Sequence, residues 1–407
     1  MNQETDILIV GAGLVGLSLA AALHTSGCGL KIRVLDTRDK PGNPGDNPKS
    51  RNGHTLDSGI AARVSSINPG SKNLLTRVGA WEKIPHSAIS PFQQMHVWDG
   101  QGTSHIEFGH PENDALGYIV ENQRIENALI ESLGDSSTVE FHWQSGLSEL
   151  SKEEQTGEGQ GFVVSLDDGT RIQATLIVGA DGGNSRVREL CNIRTVQWSY
   201  QQTALVATVE TELAHEHIAR QCFTKDGPLA FLPLADEHLC SIVWSVREVD
   251  NLMAIDDEAF CELIGESLEN RLGKVKAVDK RSSFPLAQQH ALQYVAEHVA
   301  LIGDAAHTIH PLAGQGANLG FADARVLSQL IAGAKLEGRR IGDIAILKQF
   351  QRQRRTENVV MAAVMETFKR LYSTDNPGIN WIRNAGMKMI NGNENLKTMI
   401  TRLAAGY

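Results

Sequence analysis

Three glycines and one aspartate near the start of the chain have the spacing of a dinucleotide-binding turn. The run Gly11-Ala12-Gly13-Leu14-Val15-Gly16 follows an apolar segment, and Asp36 comes twenty residues after it. The first glycine permits a tight turn, the second lets backbone N–H groups approach a pyrophosphate, and the third lets a helix pack closely on a strand. Asp36 can accept hydrogen bonds from both ribose hydroxyls. The run, including Leu14 and Val15, therefore predicts a dinucleotide site, but it does not distinguish NAD from FAD.

A second carboxylate, Asp181, follows another apolar segment in the run Ile177-Val178-Gly179-Ala180-Asp181-Gly182-Gly183. The glycines let the backbone crowd around this carboxylate, which places it near a ligand or in a turn. Two interpretations stay open. Asp181 contacts the cofactor, or it caps a turn by accepting backbone N–H groups.

A third carboxylate, Asp304, ends a short apolar segment directly after Gly303. It can accept hydrogen bonds from a sugar or ribityl hydroxyl. A glycine-rich turn follows and leads into a helix at about Gly316, and the free N–H groups there would stabilise negative charge on a reduced flavin. Because this turn follows a His-Pro pair rather than a strand, it does not predict a second nucleotide fold. The residues of the turn that we expect at the cofactor are Gly314, Gln315, Gly316, Ala317 and Asn318.

No pattern in the sequence identifies a catalytic acid, base or nucleophile. His310 and Pro311 are the candidate catalytic residues, because they precede the flavin-facing turn, and His307 is a further candidate base. The alternative for both histidines is that they stabilise the turn. The five cysteines have no CxxC or metal-ligand spacing, which predicts scattered thiols in a reducing compartment and no metal site.

The elements that must position these residues begin with a βαβ unit. Between its second strand and residue 63, Thr37–Gly59 is rich in proline and glycine and predicts an exposed loop. In residues 203–246 the pattern changes to strand-like runs, two of which are joined by a hairpin turn at Ala235–His238. Together with the predicted helix Asp256–Leu272, these runs indicate a sheet packed with one helix. The predicted strands are Asp6–Val10, Lys31–Asp36, Phe162–Leu166, Ile172–Val178, Leu205–Thr211, Leu229–Leu234, Leu239–Val246 and Val299–Ile302. The predicted helices are Gly13–His24, Arg63–Val78, Ile119–Leu133, Asp256–Leu272, Ala317–Ile331 and Ile344–Met365.

The composition is that of a soluble globular protein, with 407 residues, 41% hydrophobic and 21% charged. A net charge of -10 argues against nucleic acid as a partner, because a polyanion needs a basic face. The apolar stretch Ile7–Leu23 lacks a basic flank and is interrupted by glycines, so it predicts neither a signal peptide nor a membrane span. We therefore expect a cytoplasmic protein of two or three domains.

In their order and separation, these three motifs resemble the flavoprotein aromatic hydroxylases of the para-hydroxybenzoate hydroxylase type. The run 310–320 is similar to that of the ubiquinone-biosynthesis hydroxylases, the UbiH, UbiF and VisC/UbiI family. The runs Arg63–Asn68, Leu74–Trp81, Val97–Asp99 and Leu116–Asn122 look most like the VisC/UbiI branch. One departure is Asp36, because the family usually has Glu there.

The resemblance implies an α/β (α+β) fold, in which a Rossmann-like FAD-binding domain is interleaved with a mixed β-sheet substrate domain and followed by C-terminal helices. Its expected limits are 1–75, 115–195 and 285–340 for the FAD domain, 76–114 and 196–284 for the substrate domain, and 341–407 for the helical segment. By motif, Arg63 and Asn122 would lie beside the flavin, Asp304 would hold the ribityl chain, and Gln315 and Asn318 would line the isoalloxazine edge.

The function that the resemblance implies is an FAD-dependent hydroxylase using NAD(P)H and O₂. Its expected reaction is hydroxylation of a polyprenylated phenol or benzoquinol in ubiquinone biosynthesis, at C5 of a 2-polyprenylphenol. Alternatives are a hydroxylase of a small soluble aromatic, a flavin dehydrogenase or reductase, and a non-catalytic FAD-binding subunit of a biosynthetic complex. NAD(P)H is expected to bind transiently, because the sequence has no second fingerprint for it.

Charge is unevenly distributed along the chain. Residues 339–407 contain 12 Lys/Arg and 5 Asp/Glu, a net charge of +7, whereas the preceding residues are strongly acidic. Arg352, Arg354 and Arg355 cluster on a predicted helix, and further cations follow among apolar residues. A basic amphipathic segment suits an anionic membrane surface at the inner face of the membrane, or a partner in a ubiquinone-biosynthesis complex. The alternative is packing on the acidic body of the protein. The assembly state is open, with a homo-oligomer among the alternatives.

Overall fold

A computed structural model shows the α/β fold that the motifs imply, with strands in three sheets among the described residues. The structure describes residues 3–42, 50–52, 54–60, 63–100, 102, 104–110, 114–134, 136–152, 161–308, 316–372, 387 and 389–405. The chain passes between the first two sheets several times, so that neither sheet is built from one continuous segment.

The first sheet contains the predicted βαβ unit and has eight described strands in the order β10-β2-β1-β13-β12-β11, with β21 on β13 and β20 on β21. Strands β10, β2, β1, β13 and β21 pair in parallel, so their carboxyl ends meet at one edge. Ile7, Leu8 and Ile9 are fully buried, as expected for a parallel strand covered on both faces. The strands are β1 Gln3–Val10, β2 Ile32–Leu35, β10 Val139–His142, β11 Leu147–Lys152, β12 Phe162–Leu166, β13 Arg171–Gly179, β20 Val295–Ala296 and β21 Val299–Leu301.

The second sheet is mixed and is built around the long strand β14, which pairs with β17, β18 and β19. Its order is β3-β4-β18-β14-β17-β16-β15-β7-β8, with β19 on β14 and β22 on β19. The predicted strand Leu239–Val246 and the turn before it are confirmed. The strands are β3 Ser50–Asn52, β4 Thr55–Asp57, β7 Gln94–Asp99, β8 His105–Gly109, β14 Thr195–Thr211, β15 Ile218–Phe223, β16 Pro228–Pro233, β17 Leu239–Val246, β18 Val275–Val278, β19 Ser282–Ala291 and β22 His307–Thr308.

A small third sheet corrects two helix predictions. It has the order β5-β9-β6, with β5 at Val64–Ile67, β6 at Ser90–Phe92 and β9 at Gly117–Glu121. The predicted helix Arg63–Val78 is therefore wrong in its first part, and the predicted helix Ile119–Leu133 begins only at Asn122. Both segments begin with a strand instead of a helix, because β5 pairs with β9. The helix that follows β5 starts only at Pro69, with Asn68 as its N-cap.

The helices pack against the sheets and also form the described C-terminal part of the chain. Buried side chains of α1, α3 and α7 pack with the first sheet in the largest core, whereas α6 packs on the second sheet. The helices are α1 Leu14–Thr25, α2 Pro69–Arg77, α3 Asn122–Leu133, α4 Arg186–Leu190, α5 Val249–Ala254, α6 Asp257–Ser267, α7 Gly316–Leu336, α8 Ile344–Tyr372 and α9 Glu394–Ala405.

The segment predicted as an exposed loop, Thr37–Gly59, contains a hairpin. Strands β3 and β4 pair with each other, and β4 joins the second sheet through Thr55 and Val278. The Ser58 hydroxyl donates a hydrogen bond to Asp279, which attaches the segment further to that sheet. The hairpin therefore belongs structurally to the second sheet, although its residues fall within the expected limits 1–75 of the FAD domain. None of the helices, searched over the described residues, is long and apolar enough to cross a membrane.

Candidate active site

The fingerprint turn has the backbone geometry that its glycines predict. Gly11 has φ +108°, and a Cβ there would lie 2.3 Å from the Ala180 carbonyl oxygen. A Cβ on Gly16 would lie 1.9 Å from the Gly11 carbonyl oxygen, so only glycine allows α1 to approach the end of β1. Around Gly13 the nearest atom to such a Cβ is 3.9 Å away, which leaves room for a ligand. Leu14 and Val15 follow at the start of α1 and line the same cleft.

Asp36 ends the second parallel strand and faces the cleft together with two charged residues that the sequence reasoning missed. Its Oδ2 accepts from the Ala12 N–H at 2.7 Å, and its Oδ1 accepts from Arg38 at 2.8 Å (N) and 3.1 Å (Nε). Burial raises the pKa of Asp36, but these hydrogen bonds outweigh it and lower the pKa overall. Arg38 also lies 3.6 Å from Glu126 on α3, whose pKa is raised by burial. The position of Arg38, two residues after Asp36, was the feature of the sequence from which its place at the cleft could have been predicted.

Asp181 caps a turn with one carboxylate oxygen and leaves the other oxygen without a partner among the described residues. Its Oδ2 accepts from the backbone N–H groups of Arg186 at 2.7 Å and Val187 at 3.1 Å, which caps the start of α4. Its Oδ1 is buried and has no hydrogen-bond partner among the described residues. Because a buried carboxylate oxygen without a donor is costly, this atom fits a ligand hydroxyl or a bound water in the cleft.

Arg188 connects the second motif to the third. Its side chain is buried, and it donates to the Gly183 carbonyl at 2.6 Å and to the Ala305 carbonyl at 2.9 Å. The two loops, which are more than a hundred residues apart in sequence, are therefore joined by one guanidinium. Gln289 on β19 also donates to the Gly183 carbonyl at 3.1 Å.

Asp304 projects into the cleft from a turn whose backbone is held on both sides. Gly303 has φ +59°, and its N–H donates to Asp323 Oδ2 at 3.0 Å, while Ala305 is held by Arg188. A Cβ on Gly303 would lie 3.1 Å from Val15, so the third motif packs directly on the first. Within the described residues the Asp304 carboxylate accepts no hydrogen bond. It is exposed to the cleft, and the surrounding protein raises its pKa by desolvation.

A buried ionic network supports this turn. Asp323 is 0% exposed, and it accepts from His307 Nε2 and from Arg354 Nε, both at 2.6 Å. Burial raises the pKa of Asp323, but the two partners more than offset this and hold it at about 2. His307 is thus fully engaged in a structural pair and does not face the cleft. This favours its turn-stabilising interpretation over the catalytic one.

Arg63 and Asn122, the two residues that the resemblance assigns to the flavin, both line the cleft. The Asn122 N–H donates to the Arg63 carbonyl at 3.0 Å, and Asn122 Oδ1 accepts from Ser65 at 2.6 Å. The Arg63 guanidinium lies 5.6 Å from the centre of the Phe284 ring on β19. Arg63 therefore stands between the cofactor motifs and the second sheet.

The start of α7 lines the cleft through Gly316 and Ala317. Asn318 is directed elsewhere. It accepts from the Asn68 N–H at 3.1 Å and the Ser71 hydroxyl at 2.8 Å, and it donates to the Ser66 carbonyl at 2.7 Å. Its side chain anchors α7 to the third sheet and is not among the groups lining the cleft. His310, Pro311, Gly314 and Gln315 lie outside the described residues.

Together these residues line one cleft of about 790 Å³. One half is formed by the three motifs, with open space at Gly13 and with an Asp304 carboxylate and an Asp181 oxygen that have no hydrogen-bond donor among the described residues. The other half is an apolar wall from the second sheet, which the sequence reasoning did not identify. The first half fits a dinucleotide, and the wall fits an apolar molecule held beside it. Its members are Val206, Leu232, Val243, Phe284 and Leu286.

A nucleotide cleft with one fingerprint, closed by a wall from a mixed sheet, defines the class of FAD-dependent monooxygenases. The family described as FAD binding domain matches residues 4–367 of the chain. A solved structure, the p-nitrophenol 4-monooxygenase PnpA from Pseudomonas putida, has the same fold, with a TM-score of 0.76 and 18% identity over 100% of this chain and 99% of that one.

Two curated relatives narrow the class. The ubiquinone biosynthesis monooxygenase COQ6 of Xenopus tropicalis is 33% identical over 440 residues, covering 98% of this chain and 93% of the relative. The 3-demethoxyubiquinol 3-hydroxylase of Escherichia coli is 33% identical over 412 residues, covering 100% of this chain and 99% of the relative. The chain therefore belongs to the FAD-dependent monooxygenases of ubiquinone biosynthesis.

Proposed function

We propose that this protein hydroxylates a polyprenylated phenol in ubiquinone biosynthesis, at C5 of a 2-polyprenylphenol, with NAD(P)H as reductant and O₂ as oxygen donor. The observation that carries the proposal is the division of one cleft into a nucleotide half and an apolar half. An apolar wall suits an aromatic ring with an isoprenoid chain better than it suits a small charged substrate. The relatives named for ubiquinone biosynthesis support the same substrate class.

The residues of this chain bind and orient rather than react. FAD, when bound, supplies the redox chemistry between NAD(P)H and O₂. Gly13 and the start of α1 would hold the pyrophosphate, Asp36 the ribose, and Asp304 the ribityl hydroxyls. The Gly316 end of α7 would place backbone N–H groups near the flavin, and the apolar wall would exclude water from the ring.

The decisive experiment incubates the purified, FAD-loaded protein with NADH or NADPH and a 2-polyprenylphenol under ¹⁸O₂. We expect a product that carries one ¹⁸O atom at C5, identified by mass spectrometry and NMR. Cofactor oxidation without oxygen incorporation would favour a dehydrogenase, and an inert bound flavin would favour a non-catalytic subunit. Exclusive hydroxylation of 3-demethoxyubiquinol, or of a small soluble phenol, would contradict the proposed substrate.

We also propose that the C-terminal helices touch an anionic membrane surface, where such a substrate resides. Part of this segment packs on the protein, because Met387 lies in a cluster with Val97, Ile106 and Phe223. Other apolar side chains are free, with Met389 at 63% and Met399 at 54% exposed. Of the three arginines expected to form a basic cluster, Arg352 and Arg355 are exposed, but Arg354 is buried in the ionic network.

Flotation with vesicles that contain phosphatidylglycerol tests this contact. Replacing both exposed methionines, Met389→Gln with Met399→Gln, should reduce the bound fraction several-fold because their apolar surface is lost. Leu336→Gln is the matched control, since Leu336 is 77% exposed at the end of α7. Equal flotation of the double variant and the wild type would contradict membrane contact through these residues. Retention by a ubiquinone-biosynthesis complex alone would point to a protein partner instead.

A further inference from the structure

The apolar wall of the cleft contains one polar side chain, Ser241 on β17. Val243 lies two residues further along the same strand, and Leu232 on β16 lies directly opposite Ser241. Val206 on β14 lies opposite Val243. On the face of the second sheet that borders the cleft, Ser241 therefore has aliphatic neighbours in Leu232, Val243 and Val206, and Thr208 lies opposite it on β14.

The Ser241 hydroxyl has no hydrogen-bond partner within the described part of the chain, although the residue is only 3% exposed and lines the cleft. Because this hydroxyl has no partner in that part of the protein and lines the cleft among mostly apolar side chains, a ligand held in the cleft can complete its hydrogen bond. The ligand is not the cofactor, because the cofactor motifs come from the first and third sheets and from α7. It is the molecule held against the second sheet.

We propose that the Ser241 hydroxyl binds the ring oxygen of the aromatic substrate and thereby determines which ring carbon faces the flavin. The inference rests on the proposed function, since the phenol oxygen is the polar atom that such a substrate presents to this wall. Ser241 acts as a specificity residue: it touches the substrate, takes no part in bond breaking and leaves cofactor binding unaffected. A ring with a single oxygen, held at that oxygen against an apolar wall, has few remaining orientations.

Two probes that differ only in this oxygen test the contact, namely 2-prenylphenol and prenylbenzene. Their dissociation constants are measured from the change in flavin absorbance when each is titrated into the oxidised, FAD-loaded enzyme. The variants are Ser241→Ala, which removes the hydroxyl, and Ser241→Thr, which keeps it. The matched control is Ser245→Ala, because Ser245 is 2% exposed on the same strand and does not line the cleft.

In the wild type we expect 2-prenylphenol to bind more tightly than prenylbenzene. Ser241→Ala should weaken 2-prenylphenol about 5- to 30-fold, the usual effect of losing one buried hydrogen bond, and leave prenylbenzene unchanged. Ser241→Thr should restore the preference, and Ser245→Ala should not alter it. With 2-polyprenylphenol, Ser241→Ala should also yield hydroxylation at more than one ring position.

Unchanged binding of both probes to Ser241→Ala would overturn the inference, and so would an equal loss for both, which indicates a change of shape. Failure of the wild type to bind 2-prenylphenol at all would instead contradict the proposed function. The two failures are therefore distinguishable.

Discussion

Asp304 illustrates how a single side chain is prepared for a ligand. Its two neighbours in sequence are held by buried charged groups, Gly303 by Asp323 and Ala305 by Arg188, whereas its own carboxylate takes no hydrogen bond from the described protein. The backbone is thus held in place and the functional group is left available. Its removal should affect binding far more than folding, because no described residue donates a hydrogen bond to its carboxylate.

We predict that Asp304→Ala raises the dissociation constant of FAD roughly 10- to 100-fold, the usual cost of losing a hydrogen bond to a charged group. Titration of the apoprotein with FAD, followed by flavin fluorescence, measures it. Asp304→Asn should give an intermediate value, because the amide keeps an acceptor but loses the charge. Asp250→Ala, at an exposed position on α5, is the control. Equal affinities for Asp304→Ala and the control would show that this carboxylate does not bind the cofactor.

At the level of elements, the sequence predicted those segments whose local pattern and tertiary environment agree. Strand Phe162–Leu166 and the α1 turn follow from alternation and from glycine spacing, and both are confirmed. Segment 63–67 could not be predicted in this way, because its pairing partner β9 lies about fifty residues away and a single sequence does not reveal that pairing. The apolar wall was missed for the same reason: Val206, Leu232 and Leu286 line one cleft only when β14, β16 and β19 assemble into one sheet.

The ionic network shows a longer connection, in which α8 supports a turn of the cofactor site. Arg354 on α8 is 1% exposed and pairs with Asp323 on α7, which in turn holds Gly303. Its position in a basic run predicted an exposed cation, since charge alone does not show which side of a helix faces inward. Phe350, Arg354 and Asn358 form a buried stripe at helical spacing. Because two of its three members are polar, the sequence shows no apolar periodicity that would mark this side of α8 as buried.

We predict that Arg354→Met destabilises the protein by about 3–5 kcal/mol, because it removes the guanidinium that pairs with the buried Asp323 carboxylate. Arg352→Met, two residues away and exposed, should change stability by less than about 0.5 kcal/mol. Urea unfolding followed by circular dichroism compares the two. Similar midpoints for both variants would mean that the Asp323 pair contributes little to the fold.

For the whole molecule, we predict that the junction between the two large sheets makes stability depend on pH. His290 on β19 lies opposite Val196 on β14 and opposite His307 on β22, so it sits where the second sheet meets the turn that carries Asp304. Burial lowers the pKa of His290 to about 4, and the nearby His307 and Arg355 add to the effect. Burial also lowers the pKa of His96 on β7 and of His215 in the connection between β14 and β15.

Each of these histidines is neutral in the folded protein at a pH where the unfolded chain already binds a proton. The stabilisation that comes from keeping these histidines neutral is therefore fully present above pH ~6.5, the pKa of histidine in the unfolded chain. It is lost as the pH falls towards the pKa of each histidine in the folded protein. A shift of His290 to about 4 corresponds to a loss of up to about 3 kcal/mol across that interval. Asp323 does not contribute there, because its pKa of about 2 preserves its stabilisation until the pH falls below ~4.

Thermal unfolding between pH 7.5 and 4.5 should therefore show a melting temperature that falls steadily with acidification. His290→Gln should flatten this dependence, because glutamine fills a similar volume without taking up a proton, whereas His86→Gln at an exposed position should leave the wild-type curve unchanged. If His290→Gln follows the wild-type curve, the pH dependence originates away from the junction, at His96 and His215. If stability instead rises on acidification, the junction between the sheets tolerates a charged histidine, and the burial of His290 does not control the acid stability of the molecule.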